Sequence, residues 1–337
     1  MSEKLVSEKK LLNFIKKYHA QEIMVIGDMI ADVYLEGKIS RISREAPVLV
    51  LEYDQEHLVL GGAANVVHNA AALGAKVHAA GVIGNDSYGK EMRRLFQEKN
   101  ILTAGLMADS SSDTIAKTRV MAGGQATVRQ QIVRIDRASK LNIAAHTEKK
   151  IASYIKKEID KMSAVILSDY GSGTISETIG QLVISTCREK KIPCLVDSRY
   201  NILSFQGATV IKQNETEAAQ ATGYEYLNRE NLLSVGKSLL EKMRTEVLLI
   251  TRGADGMSVF ESNGKTTHIP VANAREVYDV SGAGDTAIVV MALSLASGAN
   301  AAEAAYLSNI AAGEVVKKFG TAVTSINEIK MAVKSLV

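Results

Sequence analysis

Five short apolar runs in this chain close in the same way, each with a polar residue at its C-terminal tip: "EIMVIGD" at 22–28, "AVILSD" at 164–169, "PCLVD" at 193–197, "ATVIKQN" at 208–214 and "VLLITRG" at 247–253. Each follows a helix-like stretch. Strand-length apolar runs alternating with helical patterns predict βαβ units, and therefore a mostly parallel, doubly wound α/β sheet with helices on both faces. Ligands of such sheets sit beyond the carboxyl ends of the strands. Asp28, Asp169, Asp197, Asn214 and Thr251 are therefore expected to face one crevice.

Two segments break this rhythm. "VYLEGKISRIS…VLVLEYDQEHLVLGG" (33–62) and "TIAKTRVMAGGQATVRQQIVRID" (114–136) alternate as strands do, and the second carries a Gly123-Gly124 turn signal. They predict a small antiparallel β lid, built from about 33–60 and 114–136, over the crevice. The chain has three prolines and no repeat or low-complexity tract, so residues 1–337 are expected to form one domain with this lid.

Charge and hydropathy remove several classes of function. The 40 Lys and Arg residues against 37 Asp and Glu leave a net charge of +3, and the cations are scattered, so no nucleic-acid partner is expected. The most apolar segment, "AIVVMALSLA" (287–296), is far shorter than the ~20 residues a membrane span needs. The N-terminal "MSEKLVSEKKLLNFIKK" is charged and amphipathic, without the apolar region of a secretory leader. No membrane partner and a cytoplasmic location are expected. Cys187 and Cys194 lack metal-site spacing, and the six histidines are dispersed, which predicts buried thiols and no His/Cys metal centre.

The densest chemical signal lies in "YDVSGAGDTAIVVMALSLASG" (278–298). If "AREVYDVSG" ends a strand and "DTAIVVMALSLAS" is a helix stopped at Gly298, then Gly282, Ala283 and Gly284 form the turn at a helix N-terminus. The unpaired N–H groups and macrodipole there make an anion site that small residues leave open. Asp285 then serves as the N-cap or points into the crevice as a general base. Three further stretches fit a ligand site. "NETE" (214–217) offers Asn214 for a phosphate oxygen and Glu217 for a Mg²⁺ water. "TRGADG" (251–256) suits a tight turn against a nucleotide. "LGGAANVVHNAAALGA" (60–75) brings Gly61, Gly62 and Asn65 to the start of an Ala-rich helix, where, with Asp28 and Asp32, acceptors for sugar hydroxyls gather.

Together these motifs resemble the ribokinase-like, or PfkB, family of carbohydrate kinases. "GGAANVVHNAAALGAKVHAAGVIGNDSYG" (61–89) is similar to its first signature and "DVSGAGDTAIVVMA" (279–292) to its second. The resemblance spans nearly the whole chain. It implies a ribokinase-like α/β fold and an enzyme, a phosphotransferase to an alcohol group that uses ATP and Mg²⁺. By resemblance, Asp285 is the catalytic base and the amides of Gly282, Ala283 and Gly284 form the anion hole. Asn214, Thr251, Gly253, Gly256 and Asn309 bind nucleotide, with Asn309 near the adenine. Glu217 holds Mg²⁺ through water, and Asp28, Asp32, Gly61, Gly62 and Asn65 line the sugar side. The resemblance also implies a monovalent cation, K⁺, near Asp279 and Ser281 with carbonyls around Gly320 and Thr324. The dinucleotide alternative fails locally, because "VIGDMIAD" after the first strand has a single glycine and no G-x-G-x-x-G.

Within the family, "SRISREAPVLV" (40–50), "QQIVRID" (130–136) and "FQGATVIKQNETEA" (205–218) resemble the D-glycero-β-D-manno-heptose 7-phosphate kinases, which phosphorylate the anomeric hydroxyl on the route to ADP-heptose. A phosphorylated acceptor calls for cations, and Arg134, Lys117, Arg41 and Arg44 stand near the lid. Two departures bear on the substrate: Arg44 replaces a usual Pro, and "VDSRYN" (196–201) replaces a usual Asp-Pro-Lys. Other sugar or nucleoside kinases of the fold (fructose, fructose 6-phosphate, ribose) and a non-catalytic sugar or nucleotide sensor stay open as alternatives. No second, nucleotidyltransferase domain is expected, and the free edges of the lid suit a homodimer.

Overall fold

A computed structural model of the chain describes residues 6–123, 130–138, 143–272 and 277–336. Its strands are β1 (Glu22–Gly27), β2 (Met29–Ile42), β3 (Leu49–Gly62), β4 (Lys76–Gly84), β5 (Leu102–Asp109), β6 (Ile115–Gly123), β7 (Gln130–Arg137), β8 (Ala164–Asp169), β9 (Cys194–Ser198), β10 (Val210–Asn214), β11 (Val247–Thr251), β12 (Met257–Glu261) and β13 (Thr266–Ile269). The helices are α1 (Glu8–Lys16), α2 (Ala63–Ala72), α3 (Ser87–Glu98), α4 (Ala145–Glu158), α5 (Glu177–Lys190), α6 (Glu215–Thr222), α7 (Leu232–Met243), α8 (Ala283–Ala296), α9 (Ala301–Val315) and α10 (Ile326–Leu336).

Nine strands form one sheet in the order β13-β12-β11-β10-β9-β8-β1-β4-β5. Its pairings are parallel from β11 to β5, and the pairings of β12 with β11 and with β13 at one edge are antiparallel. The five apolar runs are its β1, β8, β9, β10 and β11, five of the seven strands of the parallel stretch. Helices cover both faces, so the strands are apolar throughout; all six residues of β8 are buried. Along β1 the alternation sorts side chains between two cores: Ile23 and Val25 pack with α2, α8 and α9, while Met24 and Ile26 pack with α4, α5 and α7. Between β1 and β8 the backbones close tightly at Gly27, where a Cβ would stand 2.0 Å from the Ser168 carbonyl oxygen.

β2 begins at Met29, two residues after the end of β1, and builds a second sheet in the order β3-β2-β6-β7; its first five residues are buried in the core and its far end is exposed. Two of its pairings, β2 with β3 and β6 with β7, are antiparallel, and the central one, β2 with β6, is parallel. The segments 33–60 and 114–136 fall in this second sheet, which begins four residues earlier, at Met29. Gly124, half of the expected turn signal, lies outside the described residues.

The expected strand through "AREVYDVSG" is corrected. Residues 273–276 lie outside the described ones, and 277–282 form no strand. The sheet edge is already taken by β13, and the amides of Tyr278 and Asp279 bond instead to the Val316 carbonyl at the end of α9 (2.8 and 3.3 Å). Asp285 is not the N-cap of α8 either. Gly282 is, in the left-handed region at φ +81°, and Asp285 is the third residue of the helix. Asp285 to Ser294 are buried without a break, because α8 is enclosed by the sheet, α2 and α9.

Candidate active site

Asp285 sits in the first turn of α8, 7% exposed, and both of its carboxylate oxygens are held. Oδ2 accepts from Asn65 Nδ2 of α2 (2.6 Å) and Oδ1 accepts from the Tyr170 hydroxyl, just past the tip of β8 (3.0 Å). The Asn65 amide is oriented in turn: Asn69 Nδ2 donates to Asn65 Oδ1 (3.2 Å), and the Thr286 hydroxyl donates to Asn69 Oδ1 (2.7 Å). Burial pushes the Asp285 carboxyl up to about 6, against the hydrogen bond from Asn65 and with the nearby charge of Asp197 adding to the rise. A carboxylate so placed is ionised at neutral pH and basic enough to take a proton from a hydroxyl.

Around it opens a cleft of about 410 Å³ at the carboxyl ends of β8, β9 and β10, roofed by the lid. Lys212, on β10, enters the cleft floor. Its Nζ donates to Asp197 Oδ2 at 2.6 Å. Burial works against this ammonium, but Asp197 and Glu217 outweigh burial and hold its pKa above the ordinary lysine value. The glycines of the α8 turn keep this corner open: a Cβ on Gly284 would lie 2.8 Å from Lys212 Nζ, and one on Gly282 would lie 3.0 Å from Asn65 Nδ2. An anion can therefore meet the helix N-terminus and Lys212 together. Ala283 already donates to the Val280 carbonyl at 3.3 Å, a long contact against which an anion would compete.

On the lid side the cleft is lined by Asp32, Lys117 and Arg119, with Arg199 following β9. Arg119 is committed to Asp32 (2.8 Å). Among the described residues Lys117 forms no ion pair; its ammonium lies 5.2 Å from the centroid of the Tyr170 ring. Burial lowers its pKa, with Asp32 opposing that and Arg199 and Arg134 adding to it. A half-buried cation in that position is matched to an anionic group on a ligand.

A family model described as pfkB family carbohydrate kinase matches residues 20–328. This chain belongs to the pfkB family. Among curated pfkB relatives it is similar to the Bifunctional protein HldE of Syntrophotalea carbinolica (39% identical, 95% of this chain) and of Citrifermentans bemidjiense (40%, 96% of this chain). It spans 64% and 66% of the lengths of those two proteins. The pfkB chain also shares its fold with a ribokinase of Arabidopsis thaliana solved with ribose and ATP (TM-score 0.69, 17% identity, 94% of this chain and 98% of that one). A second match is phosphofructokinase-2 of Escherichia coli solved with substrates and products (TM-score 0.75, 16% identity, 94% and 99%). The ribokinase-like α/β fold expected from sequence is thus present.

Of the site residues expected from the pfkB resemblance, the structure gathers Asp285, Gly282, Gly284, Asn214, Glu217, Ser281, Gly62 and Asp32 around the one cleft, with Asn65 behind the base. Gly61 lies against Asp32, where a Cβ would meet the carboxyl at 2.6 Å. Asn214 and Glu217 are joined by a reciprocal capping box at the start of α6 (2.8 Å each way), which leaves the second Glu217 oxygen toward the cleft edge. Thr251 pairs in register with Asn214, one strand away from the cleft. Gly253 and Gly256 flank a turn beyond it, and Gly256 is required by the backbone itself, since a Cβ would lie 2.1 Å from the Ile269 carbonyl oxygen. Asn309 donates to the Pro270 carbonyl (2.7 Å). Asp279 accepts from the amides of Ser281 and Gly320 (2.9 and 3.0 Å).

Two expectations move. Asp28 is fully buried, and its carboxylate accepts from the amides of Tyr170, Ser172 and Thr174 (2.8, 3.1 and 3.2 Å), so it anchors the loop after β8 and does not line the sugar side. Arg134 is exposed and forks onto Asp136 (2.8 Å twice), while Arg41 and Arg44 lie exposed toward the outer end of the lid. Of the expected lid cations Lys117 reaches the cleft. Sequence reading missed Tyr170, Lys212, Arg119 and Arg199. A signal existed for Lys212, a charge inside the apolar run "ATVIKQN".

Proposed function

We propose that this pfkB chain transfers the γ-phosphoryl group of ATP to the anomeric O1 hydroxyl of D-glycero-β-D-manno-heptose 7-phosphate, giving the 1,7-bisphosphate in cytoplasmic ADP-heptose biosynthesis. The observation that carries the reading is the pairing, in one cleft, of a buried base at a helix N-terminus with Lys117, a lid cation in no ion pair among the described residues. The base serves the chemistry and the cation serves a phosphate already on the acceptor. The likeness of 40–50, 130–136 and 205–218 to heptose 7-phosphate kinases supports the choice of sugar.

In this mechanism Asp285 takes the proton of the O1 hydroxyl as that oxygen attacks the γ-phosphorus in line. The bond from the γ-phosphorus to the bridging oxygen breaks, and ADP leaves. Lys212 and the N–H groups of the α8 turn stabilise the charge on the transferred group, and Asn65 and Tyr170 hold the base while the lid excludes water. The residues fit a magnesium nucleotide. Gly282 and Gly284 leave room for phosphate, and Glu217, which lines the cleft, would hold the ion through water. Such an ion supplies charge neutralisation across the phosphates. Asn214 and Thr251 with the turn at Gly253 and Gly256 would face the nucleotide, and Asn309 would fix the Pro270 segment beside the base of ATP. Asp279 and Ser281 would border a K⁺ site next to the anion hole.

We also assign a homodimer through the lid. All eight residues of β7, an edge strand, are exposed, among them Ile132, Val133 and Ile135, and a second copy would cover them.

The test is ADP release with ATP and Mg²⁺ across heptose 7-phosphate, fructose 6-phosphate, fructose, ribose and adenosine, with Asp285→Asn as control. Rapid turnover of heptose 7-phosphate alone supports the whole reading. Preference for an unphosphorylated sugar removes the role given to Lys117, and ATP binding without turnover of any acceptor favours a sensor.

A further inference from the structure

The Tyr170 contact belongs to none of the family elements read from the sequence. Three observations set it apart. Its hydroxyl donates to Asp285 Oδ1 at 3.0 Å, so the oxygen of the base not held by Asn65 is also held. Its backbone N–H is tied to buried Asp28 at 2.8 Å, which fixes the loop after β8 independently of the ring. Its ring lies beneath the Lys117 ammonium of the lid. We propose that Tyr170 is a positioning residue for phosphoryl transfer: its hydroxyl holds Asp285 Oδ1 in place, favours the ionised base and leaves a remaining lone pair for the acceptor hydroxyl.

The inference rests on the reading of Asp285 as the base. A donor to a carboxylate stabilises the charged form, so the contact keeps the base ionised further down in pH than its buried site alone would allow. The other groups that act on Asp285 stay in place when the hydroxyl is removed. Asp197 on β9 and Lys212 on β10 bear on it directly. Asp169 on β8, Glu217 on α6 and Arg199 after β9 line the same cleft, and Asp32, Lys117 and Arg119 face it from the lid.

Tyr170→Phe removes the hydroxyl and keeps the ring under Lys117 and the amide on Asp28. Two measurements separate this role from a merely structural one. In the first, the carboxyl of Asp285 is titrated by NMR in ¹³C-aspartate-labelled protein without substrate, the resonance being assigned with Asp285→Asn. Loss of one hydrogen bond to a charged group is expected to raise the midpoint by about one unit. The second is the pH dependence of kcat/KM with the best acceptor, whose acid limb should move upward by the same amount while the KM for ATP holds. A thermal melt establishes that the variant is folded. An unchanged midpoint in folded Tyr170→Phe overturns the proposal whatever the substrate proves to be. A shifted midpoint with an unmoved acid limb keeps the contact but overturns its part in transfer. Failure of every acceptor in the unmodified protein removes the kinase reading and with it the part of Tyr170 in transfer, while the titration, which needs no turnover, still decides whether its hydroxyl holds the carboxylate.

Discussion

At Asp285, burial and hydrogen bonding act in opposite directions, and burial prevails, with the carboxyl at about 6. A general base works when ionised, so activity should be full above that value and fall tenfold per unit as pH drops below it; a flat kcat/KM profile between pH 5 and 7 would exclude Asp285 as the base. Replacing it with Asn should cost about 10²–10⁴ in kcat, read by ADP release, while the protein still binds ATP. Gly284 makes a separate point about space. A methyl group there meets Lys212 Nζ, which Asp197 pins, so Gly284→Ala should lower kcat by roughly 10-fold to 100-fold through misplacement of the phosphoryl group. Its melting temperature should stay near that of the unmodified chain; a variant with full kcat would show that the anion does not lie against this turn. Asp285 and its glycines were legible in the sequence because helix N-terminal chemistry is local. Tyr170 was not, because its contact with the base spans 115 positions and depends on how α8 lies across the sheet.

Among the elements, the parallel strands were the most readable, since strands buried on both faces must be apolar from end to end. The lid was readable as alternation but not as topology: nothing local in β2 and β6 declares that they pair in parallel across the 72 residues, 43–114, that separate them. The segment before α8 misled, because "AREVYDV" has strand-like composition, yet the sheet ends at β13 and the amides of Tyr278 and Asp279 turn to the end of α9. Asp28 misled for a related reason, as a strand-tip carboxylate can face a ligand or its own neighbouring loop. Two predictions belong here. Lys117→Met, on lid strand β6, should raise KM for a phosphorylated acceptor by roughly 10-fold to 100-fold, the scale of a lost charged hydrogen bond, with KM for ATP unchanged. Equal effects on both substrates would assign Lys117 to the donor. Gly27→Ala, where β1 meets β8, should lower the melting temperature by several degrees, because a Cβ 2.0 Å from a backbone oxygen forces two paired strands apart. An unchanged melt would mean the strand tips are looser than they stand.

Over the molecule as a whole, the apolar residues of the lid divide between the cleft side and the outside. Ile42, Tyr53 and Ile135 are 66%, 68% and 59% exposed, an arrangement that a second copy would relieve. Ile135→Lys is expected to convert a dimer to a monomer in light scattering coupled to size exclusion; a chain that is monomeric before the change would refute the lid interface. Movement of the lid would carry Lys117 and Arg119 with it, but not the base. The hydrogen bonds from Thr286 to Asn69, to Asn65 and to Asp285 leave α8 at one residue and return to it at the one before. They form a closed ring through α2, and the Asn65 backbone carbonyl, an acceptor only, takes a further bond from Asn69 Nδ2 (2.9 Å) and fixes which way that amide faces. Neither helix can slide along the other by even part of a turn without opening that ring, so the aim of the carboxylate serves as a vernier for the alignment of α2 with α8. A backbone carbonyl that has no place in the cleft thereby decides which end of an asparagine the base will meet.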